Sequence, residues 1–159
     1  MASEAEAAAV DDLQRAHVDL LRAQVDRVVN AGREAPARLL QAAKRLEPLD
    51  LRLALNTYLD AASASVVAGS LARPGGRLID VVAAVQAAPP PPSGPQPGDY
   101  LLESLAESVA AGPAAAAPAL RRAADAFLGD EVTPDQRFHW GILASMAALA
   151  LWDYETWPS

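Results

Sequence analysis

The chain has 159 residues, 52% of them hydrophobic, 21% charged and 5% aromatic, with no cysteine and a formal charge of −7. That composition suits the packed core of one domain and excludes global disorder. Without cysteine there are no disulfides, thiolate zinc sites or cysteine nucleophiles.

The first six residues, Met-Ala-Ser-Glu-Ala-Glu, are acidic and lack the basic-then-apolar order of a secretory leader. Leu13, Leu20, Leu21, Gln24, Val25 and Val28 follow helical spacing, which predicts a first helix over roughly 4–30. Ser3 and Glu6 fit a capping box, and Gly32 suits the turn after the helix. A second helix carries Leu39, Leu40, Ala43 and Leu46, and Pro48 helps to stop it. Asp50 suits the cap of a third, with the stripe Leu51, Leu55, Tyr58, Leu59, Ala62 and Val66, ending at Gly69. Arg73-Pro74-Gly75-Gly76 reads as a turn. Leu78, Ile79, Val82 and Ala83 mark a short fourth helix.

Ala88 to Gly98 contains six of the chain's prolines and reads as an extended linker, since proline supplies no helix donor. Asp99 is expected to open a fifth helix with Leu101, Leu102, Leu105 and Val109, ending near Gly112. A sixth carries Ala116, Leu120, Ala123 and Phe127 up to Gly129, with Pro118 near its first turn. Thr133-Pro134-Asp135-Gln136 combines a capping Thr, a Pro at the first helical position and a Gln three after the cap. The seventh helix is apolar on nearly every side and is expected to be central. Its uncharged run, Trp140 to Trp152, is thirteen residues, too short to span a bilayer.

An internal repeat links these segments. Leu20-Leu21 and Leu101-Leu102, Ala42-Ala43 and Ala123-Ala124, and Leu46 and Phe127 are all related by an offset of 81. Gly32 and Gly112 follow with a one-residue slip, and Ala83-Ala84 falls 41 after Ala42-Ala43. Thirty-seven Ala and 21 Leu residues fit helices better than sheets. A helix pair repeated about every 40 residues is the mark of a stacked array, because one hairpin cannot bury both its faces. The expected fold is all-α: stacked antiparallel hairpins of tetratricopeptide type, an α-solenoid of about seven helices. Residues 1–88 form the first two hairpins, 89–98 the linker, and 99–159 a third hairpin plus the seventh helix.

No catalytic, cofactor-binding or metal-binding constellation emerges. His17 and His139 lie on separate helices without a ligand at zinc-like spacing, and read as a helix-flank and a helix-start residue. Glu103 and Glu107 read as a solvated face, and Arg121 with Asp125 as a surface ion pair. The sole lysine, Lys44, lies within a helix and not in a phosphate loop. Net charge is −2 over residues 1–60, +1 over 61–98 and −6 over 99–159. That surface repels phosphate backbones and has no basic face for lipid, so neither nucleic acid nor membrane is an expected partner. Trp152, Tyr154 and Trp157 cluster at the C-terminal end and are the expected interface, toward a partner protein or a second copy.

Several longer stretches carry a family likeness. They are Leu39-Leu40-Gln41-Ala42-Ala43-Lys44-Arg45-Leu46-Glu47-Pro48-Leu49-Asp50, Thr57-Tyr58-Leu59-Asp60-Ala61 and Ala68-Gly69. Further on come Ala87-Ala88 with the proline run, the segment from Gly112 through Arg121-Arg122 to Ala123, and Ala150-Leu151-Trp152-Asp153. Over about residues 12–157 the chain resembles the helical middle region of large LuxR-type transcriptional regulators of high-GC bacteria. The excess of Arg over Lys, twelve to one, agrees with a GC-rich genome. Such regulators join a P-loop ATPase, tetratricopeptide-like helices and a C-terminal helix-turn-helix. The resemblance implies a cytoplasmic, non-catalytic scaffold or sensor segment that receives a protein partner or the remainder of a larger regulator. ATP hydrolysis and DNA binding do not carry over, since neither set of residues is present. A fragment, a degenerate product and a free-standing module all fit. Two other readings stay open: a small helical enzyme or ligand binder with a pocket between helices, revived by a polar pocket around His139, and a remnant without independent activity.

Overall fold

The computed structural model describes residues 2–29 and 32–156. The fold is all-α. Among the described residues six helices run in order: α1 (Ala2–Val29), α2 (Ala35–Leu46), α3 (Leu51–Ala68), α4 (Leu78–Ala87), α5 (Pro97–Leu128) and α6 (Pro134–Thr156), with one 3₁₀ turn at Gly69–Leu71. The side chain of Ser3, expected to cap α1, lies outside the described residues. Among the described residues no helix is long and apolar enough to cross a membrane.

Gly112 breaks α5 with φ of 84°. The two arms, 97–111 and 113–128, fold back on each other. A straight helix would set Glu103 and Arg122 about 28 Å apart, yet Arg122 Nη2 donates to Glu103 Oε1 at 2.9 Å. Counting each arm gives the seven helical segments that the sequence predicts. Pro113 follows the break directly, so the second arm starts there, and Pro118 sits within it and not in its first turn.

The caps follow local chemistry. Asp50 accepts from the Leu53 amide at 3.0 Å. Thr133 and Gln136 cap α6 reciprocally: the Gln136 amide donates to Thr133 Oγ1 at 3.3 Å, and the Thr133 amide donates to Gln136 Oε1 at 3.0 Å. The turn at 73–76 closes through the Gly76 amide and Arg73 carbonyl at 3.0 Å. Helix α5 begins at Pro97 with Gln96 as its cap, two residues before the expected start. Asp99 is drawn inside the first turn because its carboxylate serves two partners there. It accepts from the Gln96 amide at 2.7 Å and receives Arg52 Nη1 on both oxygens, at 3.0 and 2.8 Å.

The proline segment is docked as well as extended. It turns at Gly94, whose carbonyl accepts from Arg52 Nη2 at 3.2 Å. Pro89, Pro90 and Pro91 wall a cavity of about 270 Å³ with Leu55, Val85 and Tyr100.

The central helix is α3, not the seventh segment. It touches α2, α4, α5 and α6, and eleven of its eighteen residues are buried. Its contact with α6 adds a link that a simple line of hairpins does not supply. Helix α6 buries Trp140, Leu143, Ala144 and Ala147, while Phe138 and Leu149 face solvent. Hydropathy on every side of α6 therefore does not translate into burial on every side.

Tyr58 shows how α3 is held. Its side chain is wholly buried, and its hydroxyl donates to Glu47 Oε1 just past the end of α2. Burial, then the hydrogen bond and the charge of Glu47, push the phenol well above its ordinary value near 10. The unfolded phenol ionises first as pH rises. Stability from this pair is thus complete below pH 10 and is lost as pH climbs above it. Tyr58→Phe is expected to cost about 1–2 kcal/mol at pH 7 and to flatten the fall in stability above pH 10, both read from urea unfolding. Gly112→Ala meets no neighbour within 4 Å but must adopt the left-handed backbone. It should lose about 1–2 kcal/mol in the same assay.

Candidate functional site: a cleft over the central helix

Four residues of α3, Asn56, Asp60, Ser63 and Val67, fall at i, i+4, i+7 and i+11 and so share one face. This face is the floor of a cleft. Helix α1 supplies Leu21, Gln24 and Val25 as one wall, and α6 supplies Gln136, His139 and Trp140 as the other. The main cavity measures about 720 Å³, and an adjoining one of about 230 Å³ lies between Ser63, Val67, His139 and Ile142. His139 lines both.

The buried polar groups in the floor come from α3. Asp60 is buried and accepts from Trp140 Nε1 at 3.2 Å. This bond joins positions 80 residues apart and seats α6 on the floor. The Trp140 ring also lies against Gly98, where an added Cβ would meet Leu59 Cδ1 at 2.6 Å. A side chain at Gly98 would thus have to displace the end of Leu59. Ser63 Oγ is buried without a hydrogen-bond partner, an uncommon state for an interior hydroxyl. Thr57, six residues earlier, satisfies its own hydroxyl on the Leu53 carbonyl at 2.7 Å.

His139 is half-buried, with Nδ1 at 2.9 Å from the Asp135 carbonyl oxygen and 3.4 Å from Asp135 Oδ1. His139 is hydrogen-bonded, as the sequence leads one to expect, but it is the sixth residue of α6 and not its start; the cleft beside it is new. Ser63 and His139 line one cavity, but Ser63 Oγ makes no hydrogen bond. The hydroxyl–imidazole contact of a nucleophile and its base is thus not formed. Among the described residues no three His, Asp or Glu side chains group to hold a metal. His17 is exposed on a flank of α1, its Nδ1 2.9 Å from the Leu13 carbonyl. Glu103 meets Arg122 at the surface.

Of the predicted interface residues, Trp152 alone has a described side chain. Trp152 is on α6, exposed, and outside the cleft. The side chain of Tyr154 and all of Trp157 lie outside the described residues. Sequence reasoning passed over Asn56, Asp60 and Ser63 as site residues. Their signal is a run of polar residues at helical spacing in a mostly apolar helix.

No protein-family model matches the chain, and no curated protein or solved structure shows significant similarity to it.

Trp140→Phe removes one donor from a buried carboxylate. It should cost about 1–3 kcal/mol, measured by urea unfolding followed by circular dichroism; an unchanged midpoint would show that the Asp60 contact does not seat α6.

Proposed function

We propose that the chain is a non-catalytic helical interaction module, a partner- or signal-receiving segment of a LuxR-type regulator working in the cytoplasm. The cleft over α3 is its recognition surface. The observation that carries this reading is the cleft itself. Three helices drawn from the two ends and the middle of the chain converge on one concave surface. Its volume lies in the range of specific binding sites, roughly 300–1,000 Å³. Leu21, Val25 and Val67 offer apolar contact, and Asp135 at the rim and Asp60 in the floor are acidic. With a chain charge of −7, the fitting occupant is an apolar protein segment with basic flanks. The likeness to the helical region of LuxR-type regulators supports the same role.

A second reading takes the cleft as a small-ligand pocket, the setting of the enzyme alternative. It is favoured by His139, held by Asp135 through Nδ1 and lining both cavities. The unmade Ser63 contact places it second.

Selection from a displayed library of random peptides tests the first reading. Selected peptides should be apolar with basic flanks and should perturb Trp140 fluorescence on binding. Leu21→Glu and Val67→Glu, both at exposed positions, should weaken them at least about tenfold. Peptides that bind both variants as well as the parent, or no binder tighter than about 100 µM, would overturn it.

A further inference from the structure

Helix α6 has two apolar faces, and the body of the protein covers one. On the other, Phe138, Ile142, Ser145, Leu149 and Trp152 recur at i, i+4, i+7, i+11 and i+14, with Met146 beside them. Phe138 is 86% exposed, Leu149 62% and Trp152 66%. Between Arg137 and Asp153 there is no Asp, Glu, Lys or Arg. A chain with 20 acidic and 13 basic residues thus keeps fifteen successive positions free of them. Single exposed apolar residues are ordinary, but a contiguous stripe of this kind marks an interface.

The stripe reads nearly the same in both directions: aromatic, aliphatic, small, aliphatic, aromatic. A second α6 laid antiparallel, with the two-fold axis at Ser145, sets Phe138 against Trp152 of the partner subunit. With an offset of one residue it also brings Ile142 beside Leu149 of the partner subunit. Gly141, Ser145 and Ala148 lie on the same side and allow the helices to approach closely. Such a match of one patch with itself is what a two-fold interface requires. The absence of side-chain carboxylates and basic groups means that two copies of a −7 chain meet there without like-charge contact. The stripe exposes about 600 Å² per copy, taking ~150–250 Å² for each aromatic side chain and less for the aliphatic ones. Two copies would bury about 1,200 Å², the lower bound of specific interfaces.

We propose that the chain forms an antiparallel, two-fold symmetric dimer through this outer face of α6. The occupant is a second copy. Phe138, Leu149 and Trp152 do not line the cleft; Ile142 alone of the stripe borders its smaller cavity, so the dimer is tested at Leu149 and Ser145, away from the recognition surface.

Sedimentation equilibrium of the whole chain should give a dimer with a dissociation constant below about 100 µM. Leu149→Glu sets two carboxylates in the interface and should raise that constant at least about tenfold, with an unchanged circular dichroism spectrum because the position is exposed. A second measurement does not depend on a disruptive variant. The chain has no cysteine, so Ser145→Cys, on the proposed axis, should cross-link to itself under mild oxidation. Ser70→Cys, exposed on the 3₁₀ turn, should do so far more slowly. A monomer at several hundred micromolar, association indifferent to Leu149→Glu, or equal cross-linking by the two cysteine variants would overturn the proposal. So would a different protein found covering this face of a chain that stays monomeric.

Discussion

The fold depends on a helix with almost no solvent face. From Thr57 to Ser65 every residue of α3 is buried. Such a helix brings its polar side chains inside with it, and each must find a partner or carry the cost of desolvation. Four bonds from α3 reach four different neighbours. Tyr58 bonds to Glu47 beyond α2, Ser65 Oγ lies 2.8 Å from the Gly76 carbonyl before α4, Arg52 clamps Asp99 in α5, and Asp60 accepts from Trp140 in α6. Small residues make this possible. Ala54, Ala61, Ala62 and Ala64 are all buried, which lets neighbouring helices come close enough for short side chains to bridge. Hydrophobic burial holds the helices together non-directionally, while these bonds fix which neighbour sits at which height along α3.

Much of this was readable in the chain, for local reasons. Asp50, Thr133 with Gln136, and the turn at 73–76 act on backbone within a few residues, so their chemistry needs no tertiary context. The repeat at an offset of 81 also has a physical counterpart: Leu20 and Leu101, Ala42 and Ala123, and Leu46 and Phe127 are all buried. It departs at Leu21, which is exposed, against Leu102, which is buried. Helix α1 packs chiefly on α2, whereas α5 meets α3, α4 and α6, so equivalent residues have unequal neighbours. Pairings across the chain were not readable. Nothing near Asp60 announces Trp140, and nothing near Asp99 announces Arg52, 47 residues earlier. The placement of α6 is not legible for a related reason. An apolar face records that something covers it, not whether that cover belongs to the same chain.

Helix α6 therefore has two different tasks along its length. Its first turns wall the cleft through Gln136, His139 and Trp140, and its outer stripe begins at Phe138, between those same residues. The helix runs for 23 residues, and a regular helix of that length transmits a tilt at one end to the other with little bending. Trp140 is the point about which such a tilt is constrained, since its ring rests near Gly98 and its Nε1 is bonded to the cleft floor. A segment that filled the cleft would press on α6 at His139 and tilt the outer stripe with it. The Trp152 end of the stripe is the contact most sensitive to that tilt, because it lies farthest from Trp140 and has the longest lever arm. Occupancy of the cleft and pairing of the outer face would then be coupled through one rigid element, and linkage makes such coupling reciprocal.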